Sequence, residues 1–171
     1  SFFMAIQMQQ IARGWLVYEL TSSPLALGLV MLSFASPMAI FALFGGALAD
    51  RVPKVRLIIT VQAITVILVL ILAVLIHTQL IAFWHLLAFG VVNGSFMALQ
   101  MPSRLTIVTE IVVEDKVMNA IALNTSGSNL SRIVGPAVAG VLIAGFGTAT
   151  VFYLIAGLYA FSISCASRIK L

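Results

Sequence analysis

Six stretches of this chain, at 1–19, 24–49, 55–77, 80–102, 116–145 and 149–168, are each about as long as the ~20 apolar residues that cross the ~30 Å hydrocarbon layer of a bilayer. That pattern constrains the fold more than any other feature. Inside hydrocarbon every backbone N–H and C=O must be paired within the chain, so each stretch is expected to be a helix. Composition agrees: 62% of the residues are hydrophobic, 8% are charged and the mean hydropathy is +1.18. A soluble domain carries about a quarter charged residues. A chain this apolar cannot cover itself for water, so lipid is its main solvent and its first partner.

The connections fix an orientation. Short turns at Leu20–Ser23, Thr78–Gln79 and Phe146–Thr148 hold no Lys or Arg, whereas Arg51, Lys54, Arg56, Arg104, Lys116, Arg168 and Lys170 follow the second, fourth and sixth spans. Those seven are most of the 9 basic residues. Basic residues mark the cytoplasmic side, so the chain is expected to start in the cytoplasm. Trp15, Tyr18, Phe83 and Trp84 then belong to the outer aromatic belt. Ser23 and Pro24 have the types favoured at an N-cap and at the first helical position. Ser103–Asp115 is too short and too charged for a seventh span and is expected to be an amphipathic cytoplasmic segment. Opening at Ser1 directly on apolar residues, the chain reads as a segment of a longer protein that starts inside its first helix.

Several function classes drop out. The formal net charge of +4 and pI near 9.7 come from basic residues too few and too scattered for a nucleic-acid face. Cys165, alone, cannot form an internal disulfide, and His77 and His85 lack the spacing of a metal pair. No nucleophile–base pair or phosphate loop is present, so neither an enzyme nor a cofactor is expected.

Polar residues inside a span belong in a bundle interior or along a watery cavity. The first span carries Gln7, Gln9, Gln10 and Arg13, and the fifth carries Asn124, Ser128, Asn129, Ser131 and Arg132. These two helices are expected inside and the third outside. Gln9, Gln10, Arg13, Asn93, Asn124, Ser128 and Arg132 are the cavity or substrate candidates. Arg13 and Arg132 stand out because a charge at a span centre costs about 2.5–3.5 kcal/mol on the insertion scale. Arg132 could bind an anionic group or hold its helix to a neighbour through carbonyls, and these readings stay level. No Asp or Glu lies deep in a span. Proton coupling would run through Glu19 at the outer rim or through a residue in another part of the protein.

Two motifs remain. Asp50 ends the second span, where the helix dipole disfavours a negative charge, so Arg51, Lys54 or another helix N-terminus should compensate it. Gly46 lies one turn earlier on the same face. In the fifth span Gly127, Ser131, Gly135 and Ala139 form an i,i+4 stripe of small residues suited to close packing, with Pro136 adding a bend. Gly90 and Gly94 on the fourth span make a similar, less specific seam.

Gly46-Ala47-Leu48-Ala49-Asp50-Arg51, followed by Lys54 and Arg56, resembles the signature loop of the major facilitator superfamily, Gly-x-Leu-Ala-Asp-Arg-x-Gly-Arg-Lys. Pro53 replaces its second Gly and Val55 one basic residue. "GPAVAG" at Gly135–Gly140 is similar to the family's antiporter signature Gly-Pro-x-x-Gly-Gly, with Ala139 for one Gly. "WLVYELTSSPLALGLV" and "NAIALNTSGSNLSRIVGPAVAGVLIAGFG" resemble the bacterial exporter branch that includes enterobactin exporters and macrolide-efflux proteins. The resemblance implies an all-α membrane protein of six transmembrane helices. It would be the N-terminal half of the twelve-helix fold, made of two inverted three-helix repeats, in the bacterial inner membrane. It also implies a latch at Asp50 and Arg51 that holds the two halves together on the cytoplasmic side; for Lys54 and Arg56 a pure topology role is the simpler reading. The implied partners are the second six-helix half and a small amphipathic molecule that is exported. An importer or uniporter of the superfamily, or a six-helix module or remnant that transports nothing, are the rivals.

Overall fold

A helix satisfies its own backbone, and the chain adopts nothing but helices across its described spans. A computed structural model of the chain describes residues 2–49, 53–111 and 116–167, with the side chains at 43–49, 105 and 108–111 left aside. The elements are α1 (Phe2–Thr21), α2 (Pro24–Ala49), α3 (Lys54–His77), α4 (Phe83–Ile111), α5 (Val117–Phe146) and α6 (Thr148–Ala166).

Local chemistry sets the helix ends. The Ala26 N–H donates to Ser23 Oγ at 3.5 Å, and Pro24 opens α2. His85 Nδ1 accepts the Ala82 N–H at 3.0 Å at the head of α4, with the Trp84 ring stacked on the imidazole at 4.1 Å. The reversal between α5 and α6 turns on Gly147, whose φ of 80° suits a residue without Cβ.

The fourth helix departs from expectation. Ser103 begins no separate segment: α4 continues unbroken through Pro102 to Ile111. At 1.5 Å per residue it is about 43 Å long, so one end must project beyond a ~30 Å core. A proline removes one backbone hydrogen bond, but the helix stays seated because Gln100, Ser103 and Ile107 recur at helical spacing on a buried face. Ser103 Oγ also bonds back to the Leu99 carbonyl at 3.0 Å.

Five helices, α2 to α6, are long and apolar enough to cross a membrane on their own. α1 falls short by composition, because of its glutamines and Arg13. Yet it lies deepest in the bundle, with Ala5, Met8, Ala12 and Val17 fully buried. Gln9 and Arg13 are tolerated there because neighbouring helices surround them, whereas Gln10 is exposed.

The arrangement is pseudo-symmetric. Exchanging α1 with α4, α2 with α5 and α3 with α6 maps the α2–α4 packing onto α1–α5, α1–α6 onto α3–α4, and α1–α2 onto α4–α5, with α3–α6 mapping onto itself. Each repeat has three spans, an odd number, so the second must run inverted relative to the first. Two seams bring backbones close. On α4, a Cβ at Gly94 would collide with the Phe34 carbonyl oxygen of α2 and lie 3.0 Å from its carbon. On α5, a Cβ at Gly135 would stand 2.8 Å from Gln7 Cβ of α1.

α5 is not an inside helix of this bundle. Asn129, Leu130, Arg132, Ile133 and Val134 are exposed, and Gly135 and Ala139 are its buried residues. α3 is the better covered of the two, with Gln62, Thr65, Val69 and Ala73 buried against its neighbours. Polarity on α5 therefore faces away from these six helices.

Candidate functional site

The first helix builds the site. Gln9 and Arg13 are one turn apart, on the face that α1 turns inward, and are 3% and 6% exposed. Tyr159 comes from α6, at the end of a buried stripe of Phe152, Ile155 and Ala156. Its hydroxyl donates to Gln9 Oε1 at 3.0 Å, within the interior, a bond worth about 1 kcal/mol net. α4 adds Asn93 and Met97, and α2 adds Phe34. Together with Ile6 and Gln10 these residues enclose a void of ≈ 10 Å³, the size that holds a single water.

Arg13 carries the main electrostatic consequence. Its guanidinium carbon sits 5.1 Å from the centroid of the Phe34 ring, inside the ~6 Å range of cation–π attraction. Its Nη1 is buried and has no hydrogen-bond partner among the described residues. Arg13, Gln10 and Phe34 also border a second, larger space of ≈ 370 Å³ between α1 and α2, lined by Leu27, Val30, Met31 and Ala35. The arginine thus stands between a water-sized void and an open apolar cleft.

A polar and aromatic column continues along α1. The Tyr159 ring meets Phe2 edge to face at 6.0 Å, and the Arg104 guanidinium lies 3.4 Å over Phe2. Arg104 was expected in a cytoplasmic connection; it is instead half-buried on α4, with a buried Nε that has no described partner. Because α4 does not stop at Pro102, its next turn carries Arg104 against α1. Gln62 of α3 is fully buried, and neither of its amide atoms nor Gln100 Oε1 of α4 has a partner among the described residues.

Of the cavity candidates, the fold gathers Gln9, Gln10, Arg13 and Asn93 at one place. It does not bring Asn124, Ser128 or Arg132 there: the first two are half-buried and Arg132 is exposed on α5. Along the α5 motif, Gly135 and Ala139 pack on the bundle and Pro136 is half-buried. A Cβ at Gly127 or Gly140 would meet open space, and the Ser131 hydroxyl bonds its own helix at the Gly127 carbonyl, 2.8 Å away. Gly46 lies in the last turns of α2, Lys54 is half-buried at the start of α3 and Arg56 is exposed. Asp50 and Arg51 lie outside the described residues. Tyr159, Phe34, Met97 and Arg104 were missed. Tyr159 alone left a trace, as a hydroxyl on the buried stripe of an apolar helix.

At the opposite end of α1, Glu19 Oε2 accepts a hydrogen bond from Thr148 Oγ1 at 3.4 Å. Both line a cleft of ≈ 450 Å³ with His77 and Gln79. No group of three or more His, Cys, Asp or Glu that could hold a metal occurs among the described residues.

Comparison with known proteins adds three findings. The family of transmembrane secretion effectors, within the major facilitator transporters, matches residues 4–170. The MFS-type transporter YfiS of Bacillus subtilis (strain 168) is 31% identical over 148 residues, 85% of this chain and 34% of that protein. The staphyloferrin A transporter of Staphylococcus aureus (strain NCTC 8325 / PS 47) is 25% identical over 151 residues, 88% of this chain and 38% of that protein. The chain spans little more than a third of the length of these relatives.

Proposed function

The chain belongs to the transmembrane secretion effector family of the major facilitator superfamily, and from that premise we propose that it forms the substrate-binding amino-terminal half of a bacterial exporter. The cargo is an amphipathic small molecule, moved by rocking these six helices against six more around a midplane site. One observation carries the reading: the cluster of Gln9, Arg13, Asn93 and Tyr159, buried at mid-helix beside an open apolar cleft. Polar groups in lipid are expensive and sit where a cavity or partner needs them.

Three further features fit. The seams at Gly94 and Gly135 lock α2 to α4 and α1 to α5, so the bundle can move as one body. The exposed polar face of α5, including Arg132, is then the surface toward the second half. On the cytoplasmic side Asp50 and Arg51, with Gly46, Lys54 and Arg56 around them, act as the latch between halves. The basic connections support a cytoplasmic amino terminus, and the bacterial inner membrane is the location that goes with this reading. If proton coupling runs through this half, Glu19 is its carboxylate, held by Thr148 at the outer cleft.

Energised membrane vesicles test the proposal. The full-length protein should drive uptake of fluorescent amphiphiles into everted vesicles, the orientation that reports export. Uptake confined to right-side-out vesicles would make it an importer. No uptake in either, across dyes of both charges, would leave a membrane module without transport.

A further inference from the structure

Arg13 raises a question of charge balance that the transport reading leaves open. A guanidinium is always protonated in a protein, and this one is 6% exposed within a span, with Nη1 unpartnered. Glu19 is the acidic residue whose side chain is described. It sits six positions further along α1, bonded to Thr148. Phe34 attracts the cation but covers one face of the planar group, leaving donors at its edge. Among the described residues no countercharge reaches it, so the site suits one that a ligand brings in.

The two spaces beside Arg13 decide from which side. The void toward Gln9 and Asn93, ≈ 10 Å³, admits a water and no more. The cleft toward α2, ≈ 370 Å³, is within the usual range of ligand sites. Away from Arg13 and Gln10 it is apolar, and Met31 offers an adaptable wall. Gly14 lines it as well, and a Cβ there would have Leu27 Cδ1 at an ordinary contact distance of 3.7 Å. One fixed cation at the head of an apolar trough defines the ligand.

We infer that Arg13 is the head-group site for an amphipathic organic anion, a carboxylate or sulfonate, whose apolar body lies in the cleft between α1 and α2. The inference deepens the proposed transporter by naming its substrate class. Arg13 stands eight residues before the end of α1 at Thr21, about 12 Å along the helix axis. Phospholipid head groups lie at the interface, above that depth, so a molecule that enters the bundle fits better than a resident lipid.

Binding tests this directly, using the full-length protein in phosphatidylcholine nanodiscs. Energy transfer from Trp15, two positions from Arg13, to dansylglycine (an anion) or dansylamide (neutral) reports occupancy; Trp15→Phe supplies the blank. Wild-type protein should bind dansylglycine about tenfold or more tightly than dansylamide, since losing one partner of a buried charge pair is among the larger binding effects. Arg13→Gln should remove that preference and leave dansylamide affinity within about twofold, while Arg13→Lys keeps part of it. Gly14→Leu, which adds bulk to the lining of the cleft, should weaken both dyes together. Equal affinity of the two dyes for wild-type protein overturns the inference, and that result needs no variant to fold. So does an unchanged dansylglycine affinity in Arg13→Gln, which would mean that a carboxylate elsewhere in the protein neutralises the arginine. Adding phosphatidylglycerol to the discs assigns the source. Displacement of dansylglycine makes an anionic lipid a ligand of the site, and no displacement leaves a free amphiphile; either result keeps the anion site. A selective dye site without vesicle uptake would sink the transport reading alone, and uptake without charge selectivity at Arg13 would sink this one alone.

Discussion

Replacing Gly94 by alanine puts the structure's closest helix pair under test. The added Cβ would overlap the Phe34 carbonyl oxygen and lie 3.0 Å from the Phe34 carbon and 3.2 Å from its Cα. All three are backbone atoms, so no side-chain rotation relieves the clash. Ordinary carbon contacts need about 3.5–4.0 Å, so α2 and α4 must part by roughly half an ångström or more, and a gap of that size forfeits a quarter to a half of each neighbouring dispersion contact. Overpacking of this kind costs about 1–3 kcal/mol, which exceeds the ~1 kcal/mol that alanine gains over glycine in helix propensity. Gly127→Ala is the internal control, because a Cβ there meets nothing within 4 Å. Gly90→Ala should fall between, because its clash is with the Ser33 hydroxyl, which can rotate away at the expense of its 2.8 Å bond to the Val30 carbonyl. Unfolding free energies measured by steric trapping in bicelles should rank Gly94→Ala below Gly90→Ala, and both below Gly127→Ala. A Gly94→Ala protein as stable as Gly127→Ala would refute the close α2–α4 approach.

Three other outcomes follow from the geometry. Cysteines at Ser22 and Gln79, in two of the three short turns, should react with impermeant maleimide on intact cells and one at Lys54 should not; labelling at Lys54 reverses the orientation. In the full-length protein Asp50→Asn should insert normally and lose most vesicle uptake, and wild-type uptake would reduce the charged loop to a topology signal. Tyr159→Phe strips Gln9 Oε1 of its buried donor, so stability should drop by about 1–3 kcal/mol; an unchanged unfolding free energy would show that water replaces the hydroxyl at no cost.

The six-helix plan was legible because hydrocarbon imposes it: apolar runs of sufficient length have one backbone solution. The Gln9–Arg13 face was legible for a related reason, since two expensive side chains one turn apart must share whatever shelter exists. Phe34 and Met97 carried no such mark, because an aromatic or a methionine in an apolar helix is ordinary lipid-facing material until a neighbour is known. The position of α5 was misread on sound chemistry. Asn129 and Arg132 are costly in lipid, but a sequence cannot distinguish the interior of six helices from a surface that faces something beyond them. Pro102 misled in another way. It lacks an N–H, yet the buried side chains at Gln100, Ser103 and Ile107 hold α4 together across it, and with α4 comes Arg104. The small-residue stripe on α5 overstated its contacts, since Gly135 and Ala139 touch the bundle and Gly127 does not.

The cost of the α1 column says where this bundle departs from stability. Arg13 and Arg104, each with a buried unpartnered nitrogen, flank the bonded pair of Gln9 and Tyr159. Buried charges of this kind are often replaced by apolar residues of similar volume with no loss, or with a gain of about 1–4 kcal/mol. A sequence chosen only to fold would place Leu or Met at 13 and 104, beside Phe34 and Phe2. Local choices that oppose the global fold are expected at functional sites. In this chain those choices lie along one line, from the Phe2 end of α1 to the middle of the helix, and meet the α1–α2 cleft at Arg13. On the proposed transport reading, Arg13 is a charged stop on the path of the cargo. A second half with an acidic group facing Arg13 would close that stop permanently, whereas one without it would leave the arginine to the passing anion.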